Sequence, residues 1–170
     1  MSRWIFMERI PMNRIWAIAL LLAPAVHGQQ VAKENAAPHH TSGSFEPGVK
    51  VLPADFPATP SLGRMTINKQ LHGGIEGVST GEMLTAMSET KGSAGYVAVE
   101  VVTGKVDGRS GNFSLIHLGL MDRGKPTLTV TVVPDSGTGE LAGLAGTFTI
   151  NIAADGKHTY DFDYTLPVKP

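Results

Sequence analysis

From Arg64 onward, apolar and polar positions alternate in runs of six to twelve residues, and short turn signals separate the runs. The breaks read "DGRSG" (107–111), "DRGKP" (122–126), "PDSGTGELAG" (134–143) and "ADGK" (154–157). A period of two is the mark of strands, and no stretch shows a sustained helical period. Asp-Gly and Arg-Gly pairs suit hairpins because glycine takes positive φ without a steric penalty. Hairpins in series set neighbouring strands antiparallel, and closing such a meander into a barrel removes its exposed edges. The expectation is an all-β chain folded as an antiparallel β-barrel over residues 62–170, with a sandwich as the alternative.

Turn placement then predicts which side chains share a face. A turn centred on "DGRS" pairs Val106 with Gly111 and sets Glu100 directly opposite His117, Ala98 opposite Gly119 and Tyr96 opposite Met121. A turn on "DRGK" pairs Met121 with Pro126 and His117 with Val130. Because side chains alternate along a strand, Tyr96, Glu100, Val102, Leu115, His117, Leu128, Val130 and Val132 fall on one face. Thr127, Thr129 and Thr131 take the other, which reads as solvent. For the last hairpin a three-residue turn, Ala154 to Gly156, pairs Ile152 with His158, Ile150 with Tyr160 and Phe148 with Phe162. His158, Tyr160, Phe162 and Tyr164 then point inward.

The first third of the chain has a different character. Residues 1–28 read as a signal peptide, with Arg3, Arg9 and Arg14 ahead of the apolar run Ile15–Val26 and cleavage expected after Gly28. Met12 offers an alternative start. Twelve apolar residues fall short of the roughly 20 that span a bilayer, so no stable membrane anchor is expected after cleavage. The protein is expected to be exported, to the periplasm or the extracellular space. Residues 29–61, with five prolines and no period, read as an irregular linker or a segment draped over the domain. His39 and His40 lie in it without a third metal ligand in view.

Removing residues 1–28 takes three basic residues and Glu8 from totals of 14 and 15, leaving 11 basic against 14 acidic and a formal charge of −3. No basic stripe is visible, so no nucleic-acid partner is expected. The chain has no cysteine, which excludes disulfides, thiolate nucleophiles and thiolate metal ligands. The glycines of "PDSGTGELAGLAG" invite a phosphate-loop reading. Such a loop leads into a helix N-terminus, often with a lysine. This one runs into the strand-like "TFTINI" and carries Glu140, so a sheet corner is expected instead.

The run "GSAGYVAVEVVTGKVDGRSGNFSLIHLGLMDRGKPTLTVTVVPDSGTGELAGLAGTFTI", with "GKHTYDFDYTL" after it and "GEMLTA" before it, resembles an uncharacterised bacterial family, domain of unknown function 3224. The resemblance spans roughly Gly74 to Leu166, and "VVPDSGTGELAGL" is its most specific string. It implies a fold similar to the allene oxide cyclase barrel, a relative of lipocalin-like barrels. It implies no reaction, and no catalytic residue is carried over.

The candidates for chemistry are Glu100 and His117, a carboxylate beside an imidazole in an apolar interior. Such a pair could do acid–base work, although a buried polar pair that only orders the cavity would leave the same mark. Tyr96, Glu100, His117, His158 and Tyr160 are the candidate ligand-binding residues. No metal and no cofactor is expected. Three readings stay open: a module binding a small apolar or amphipathic ligand in the lumen, an isomerase- or cyclase-like enzyme using Glu100 and His117, and a structural domain whose lumen its own side chains fill. Whether the protein is an enzyme is left open, as is a homo-oligomeric state.

Overall fold

The computed structural model describes residues 36–53 and 61–167. The expected signal segment and cleavage point lie outside the described residues. Within them, eight antiparallel strands close into a barrel in chain order. They are β1 (Pro38–Leu52), β2 (Leu62–Gly73), β3 (Ile75–Met87), β4 (Ala94–Val106), β5 (Arg109–Asp122), β6 (Lys125–Val132), β7 (Ala145–Ile152) and β8 (His158–Thr165). β1 closes the ring by pairing with both β2 and β8.

That strand corrects the linker expectation. Phe45 of β1 is buried and lies opposite Leu71 on one side and His158 on the other. The prolines that hid the strand sit where pairing is incomplete. Pro38 is its first residue, and Pro47 lies beyond Phe45, where β8 has ended and β2 is the only neighbour. Proline is tolerated at such edges because no ladder donor is required there. His39 and His40 belong to this strand. His39 stacks on Tyr164, and His40 hydrogen-bonds Asp163 at 2.8 Å.

Two of the three hairpins fall in the expected register. Met121 pairs with Pro126, and Ile152, Ile150 and Phe148 pair with His158, Tyr160 and Phe162. The β4–β5 hairpin differs: Val106 pairs with Arg109, not Gly111. Asp107 and Gly108 both have positive φ, 45° and 83°. That is the mirror-image two-residue turn whose twist suits adjacent strands and which Asp-Gly favours. The register therefore slips by two residues, which preserves every face. Ala98, not Glu100, lies directly opposite His117, and Tyr96 lies opposite Gly119.

The two ends of the barrel are built differently. At the end holding the β2–β3 and β4–β5 turns, Phe113, Phe148, Tyr160, Phe162 and Tyr164 pack ring against ring, three pairs stacked and one tilted, with centroid separations of 4.8–5.9 Å. The Tyr160 hydroxyl accepts from the Ile75 backbone N–H at 2.7 Å, so it serves the wall and not the lumen. Tyr164 donates to Asp107 at 2.7 Å, and burial with that bond pushes its phenol up to about 12.

Here the glycine-rich corner finds its purpose. β6 is eight residues long against fourteen for β5, so the first residues of β5, paired with β4 on one side, have no strand on the other. Residues 133–141 supply one. Val133 and Thr138 donate backbone bonds to the Ser114 and Asn112 carbonyls, and Ser136 Oγ, Thr138 Oγ1 and Glu140 accept from the Ser114, Asn112 and Ser110 amides. A single 3₁₀ turn, Gly139–Leu141, then drops Leu141 and Leu144 into the aromatic layer, both buried. A Cβ on Gly137 would sit 1.9 Å from the Leu141 carbonyl oxygen, which leaves glycine as the residue that fits. The segment leads into β7, as expected of a corner.

Leu141→Ala is expected to cost about 2–5 kcal/mol, the range for truncating a buried leucine. Urea denaturation followed by tyrosine fluorescence measures it. A cost under about 1 kcal/mol would mean that the turn is not part of the core.

Candidate functional site

Between the aromatic end and the opposite mouth lies a layer of buried polar side chains: Lys69, Ser79, Glu100 and His117. They come from four consecutive strands, β2 to β5. Three of them sit among buried apolar neighbours on their own strands, Ile67 and Leu71 beside Lys69, Ala98 and Val102 beside Glu100, and Leu115 beside His117, while Ser79 lies between Gly77 and Gly81. Gly81 lies opposite Glu100, and a Cβ there would fall 2.2 Å from the Val99 carbonyl oxygen, so bare backbone lets β3 close on β4.

Glu100 is the hub. Oε1 accepts from Lys69 Nζ in an ion pair and from His117 Nε2 at 2.9 Å, while Oε2 accepts from Ser79 Oγ at 2.7 Å. The Glu100–His117 contact runs on the diagonal of the register, where two long side chains still meet. Burial alone would push Glu100 up. The His117 hydrogen bond, the Lys69 charge and the Lys69 and Ser79 hydrogen bonds outweigh it and bring the carboxyl down to about 2. Glu100 is therefore an ionised acceptor. An ionised carboxylate donates nothing, so Nε2 of His117 carries the proton. Its Nδ1 is buried and has no hydrogen-bond partner among the described residues.

Lys69 gave no signal as a lone residue in the polar-looking "NKQLH", yet it completes the set. Its place between Ile67 and Leu71 at two-residue spacing was the available clue. Burial pulls its ammonium below the ordinary lysine value, and Glu100 acts against that shift. Nζ also lies 5.3 Å from the centre of the Phe45 ring and 6.0 Å from that of Phe148, within reach of cation–π attraction.

Above this layer the barrel opens. The long strands β3, β4 and β5 extend past the ends of β7 and β8, and their inner faces form an apolar mouth of about 420 Å³. Met83, Met87, Ala94, Tyr96, Met121 and Leu128 line it. Leu128 faces inward as expected but is 41% exposed, because it belongs to the rim. The Tyr96 ring lies flat over Gly119, where a Cβ would come within 2.0 Å of a ring carbon. Burial, then the nearby Glu100 charge, push the Tyr96 phenol up. Tyr96 thus stands between mouth and charged layer.

The structure brings Tyr96, Glu100 and His117 together and leaves His158 and Tyr160 elsewhere. His158 packs on Phe45 at 5.1 Å, and Tyr160 belongs to the aromatic end. No group of three or more His, Cys, Asp or Glu side chains among the described residues could hold a metal ion.

Two measurements test the hub. Lowering Glu100 from 4.5 to about 2 corresponds to about 3 kcal/mol of stability, present above its unfolded pKa and lost as pH falls toward 2. Glu100→Gln is expected to flatten the decline in melting temperature below about pH 4.5. Lys69→Met and Glu100→Gln each strand a buried charge or donor and should cost about 3 kcal/mol or more alone, while the double variant should cost less than either. Additive costs in urea titrations would show that the two side chains do not depend on each other.

The family model described as "Protein of unknown function (DUF3224)" matches residues 42–164. A crystal structure of a protein of unknown function from the same family, from Shewanella oneidensis, is 42% identical. It superposes with a TM-score of 0.73, the match covering 78% of this chain and 100% of that one. No curated protein matches. Sequence and fold agree, and the chain belongs to the DUF3224 family.

Proposed function

We propose that this protein is an exported binding module that holds a small apolar or amphipathic molecule in the mouth of its barrel. The observation that carries the reading is the 420 Å³ apolar mouth set directly above a buried charged layer, with Tyr96 between them. Ligand sites of this kind are largely apolar, with a few convergent polar groups that fix orientation. Methionines 83, 87 and 121 supply an adaptable lining. A ligand's apolar body rests against them, and its polar end meets the Tyr96 hydroxyl. The reading of export is supported by the apolar run at residues 15–26 with Arg3, Arg9 and Arg14 ahead of it.

The enzyme reading is weaker. Glu100, held at about 2 by its donors, is poorly suited to trade protons near neutral pH. The feature in favour of chemistry is the unpartnered Nδ1 of buried His117, which would need an opening past Tyr96 to meet a substrate.

The fluorescence of N-phenyl-1-naphthylamine, a neutral apolar probe, is expected to rise saturably with the purified protein. Ala94→Trp, which fills the mouth, should weaken binding about tenfold or more, some 1.4 kcal/mol, with little change in melting temperature. Binding that is absent in the natural chain, or indifferent to Ala94→Trp, overturns the proposal.

A further inference from the structure

The outer wall of β3, β4 and β5 is apolar where solvent-facing strand positions are ordinarily polar. Val97, Val99 and Val101 of β4 point outward, with Leu84 of β3 on one side and Ile116, Leu118 and Leu120 of β5 on the other; each is 43–54% exposed. The registers make them contiguous. Leu84 pairs with Val97, Val97 with Leu118, and Val99 with Ile116. Alternation sends these positions to the face opposite the lumen, and of them Leu120, at the rim, also borders the mouth.

Seven aliphatic side chains about half open to solvent amount to on the order of 600 Å² of continuous apolar surface, at the upper end of what monomers expose. That is about three quarters of the ~800 Å² each partner contributes to a standard interface. One charged side chain touches the patch, Glu82 of β3, the cross-strand partner of Val99. At its β3 border Glu82 is neutralised by Arg64, with two hydrogen bonds of 2.9 and 3.1 Å. At its β6 border stand Thr127 and Thr129. The surface therefore carries nothing to match a charged partner and nothing to repel an identical one.

We infer that the outer face of β3–β5 is a homodimer interface, on which a second copy of this chain packs about a two-fold axis near Val99. Two such sheets meet face to face, aliphatic side chains interleaving, and the same patch serves both subunits. Both mouths remain open in this arrangement, since dimerisation uses the outside of the wall.

Sedimentation velocity on the purified chain from about 1 to 100 µM is expected to show a dimer. Val99→Lys and Leu118→Lys should each give a folded monomer whose cooperative melt no longer shifts with protein concentration, because both positions already face water in the single barrel. The absence of native cysteine provides a second measurement. Val99→Cys should form a disulfide-linked dimer on mild oxidation at low protein concentration, while Lys157→Cys, in the β7–β8 turn, should not. A monomer throughout the concentration range, dimers that survive the lysine substitutions, or equal cross-linking at positions 99 and 157 overturns the inference. So does flotation of the monomer with phosphatidylcholine vesicles in place of self-association.

Discussion

An ionised carboxylate with no access to water needs donors on every side, and in this barrel Glu100 finds them on three neighbouring strands. Desolvating such a group unpaired would cost several kcal/mol. Lys69, Ser79 and His117 must therefore face the same height of the lumen as Glu100, which constrains the stagger of β2, β3 and β5 against β4. A one-residue slip at any of these ladders would turn its contributing side chain to solvent and strand the carboxylate. The polar layer thus specifies register at mid-barrel, where a purely aliphatic lumen would tolerate alternatives.

The inner and outer faces were legible because the fold obeys a simple alternation from Arg64 to the last strand. Two hairpin registers followed from that alternation and from the requirement that apolar faces meet. The β4–β5 register did not, because both a two-residue and a four-residue loop at "DGRS" keep Glu100 and His117 inward. Face matching cannot separate registers that differ by two, and only the preference of Asp-Gly for a mirror-image turn decides between them. β1 was hidden for another reason. It holds Phe45 in the core, but much of its remaining length is exposed and only Gly43, Ser44 and Phe45 pair on both sides. A strand like that carries little periodic signal. Of the candidate site, Glu100, His117 and Tyr96 could be grouped from their faces. Lys69 could not, since lysine inside a barrel becomes intelligible only when its counter-ion is known to be there.

The same economy explains the glycine-rich corner. A strand cut short at Val132 would leave the amides of Ser110, Asn112 and Ser114 without partners. Three side chains from the corner, Glu140, Thr138 and Ser136, take them instead. Glycine content that resembles an anion-binding loop in composition serves here to bring irregular backbone against a strand edge. What separates the two uses is the element that follows. A helix N-terminus would leave amides free for an anion, whereas this segment spends its donors and acceptors on β5.

With one end filled by stacked rings and by Leu141 and Leu144, the molecule is topologically a cup and not a tube. For a molecule held as proposed, such a shape offers one route: it would depart by the rim it entered. Under that proposal the residence time would be set at the rim, by how readily Tyr96 and the methionines beside it rearrange. Changes deep in the stack would alter how firmly the cup holds its form without opening a second exit.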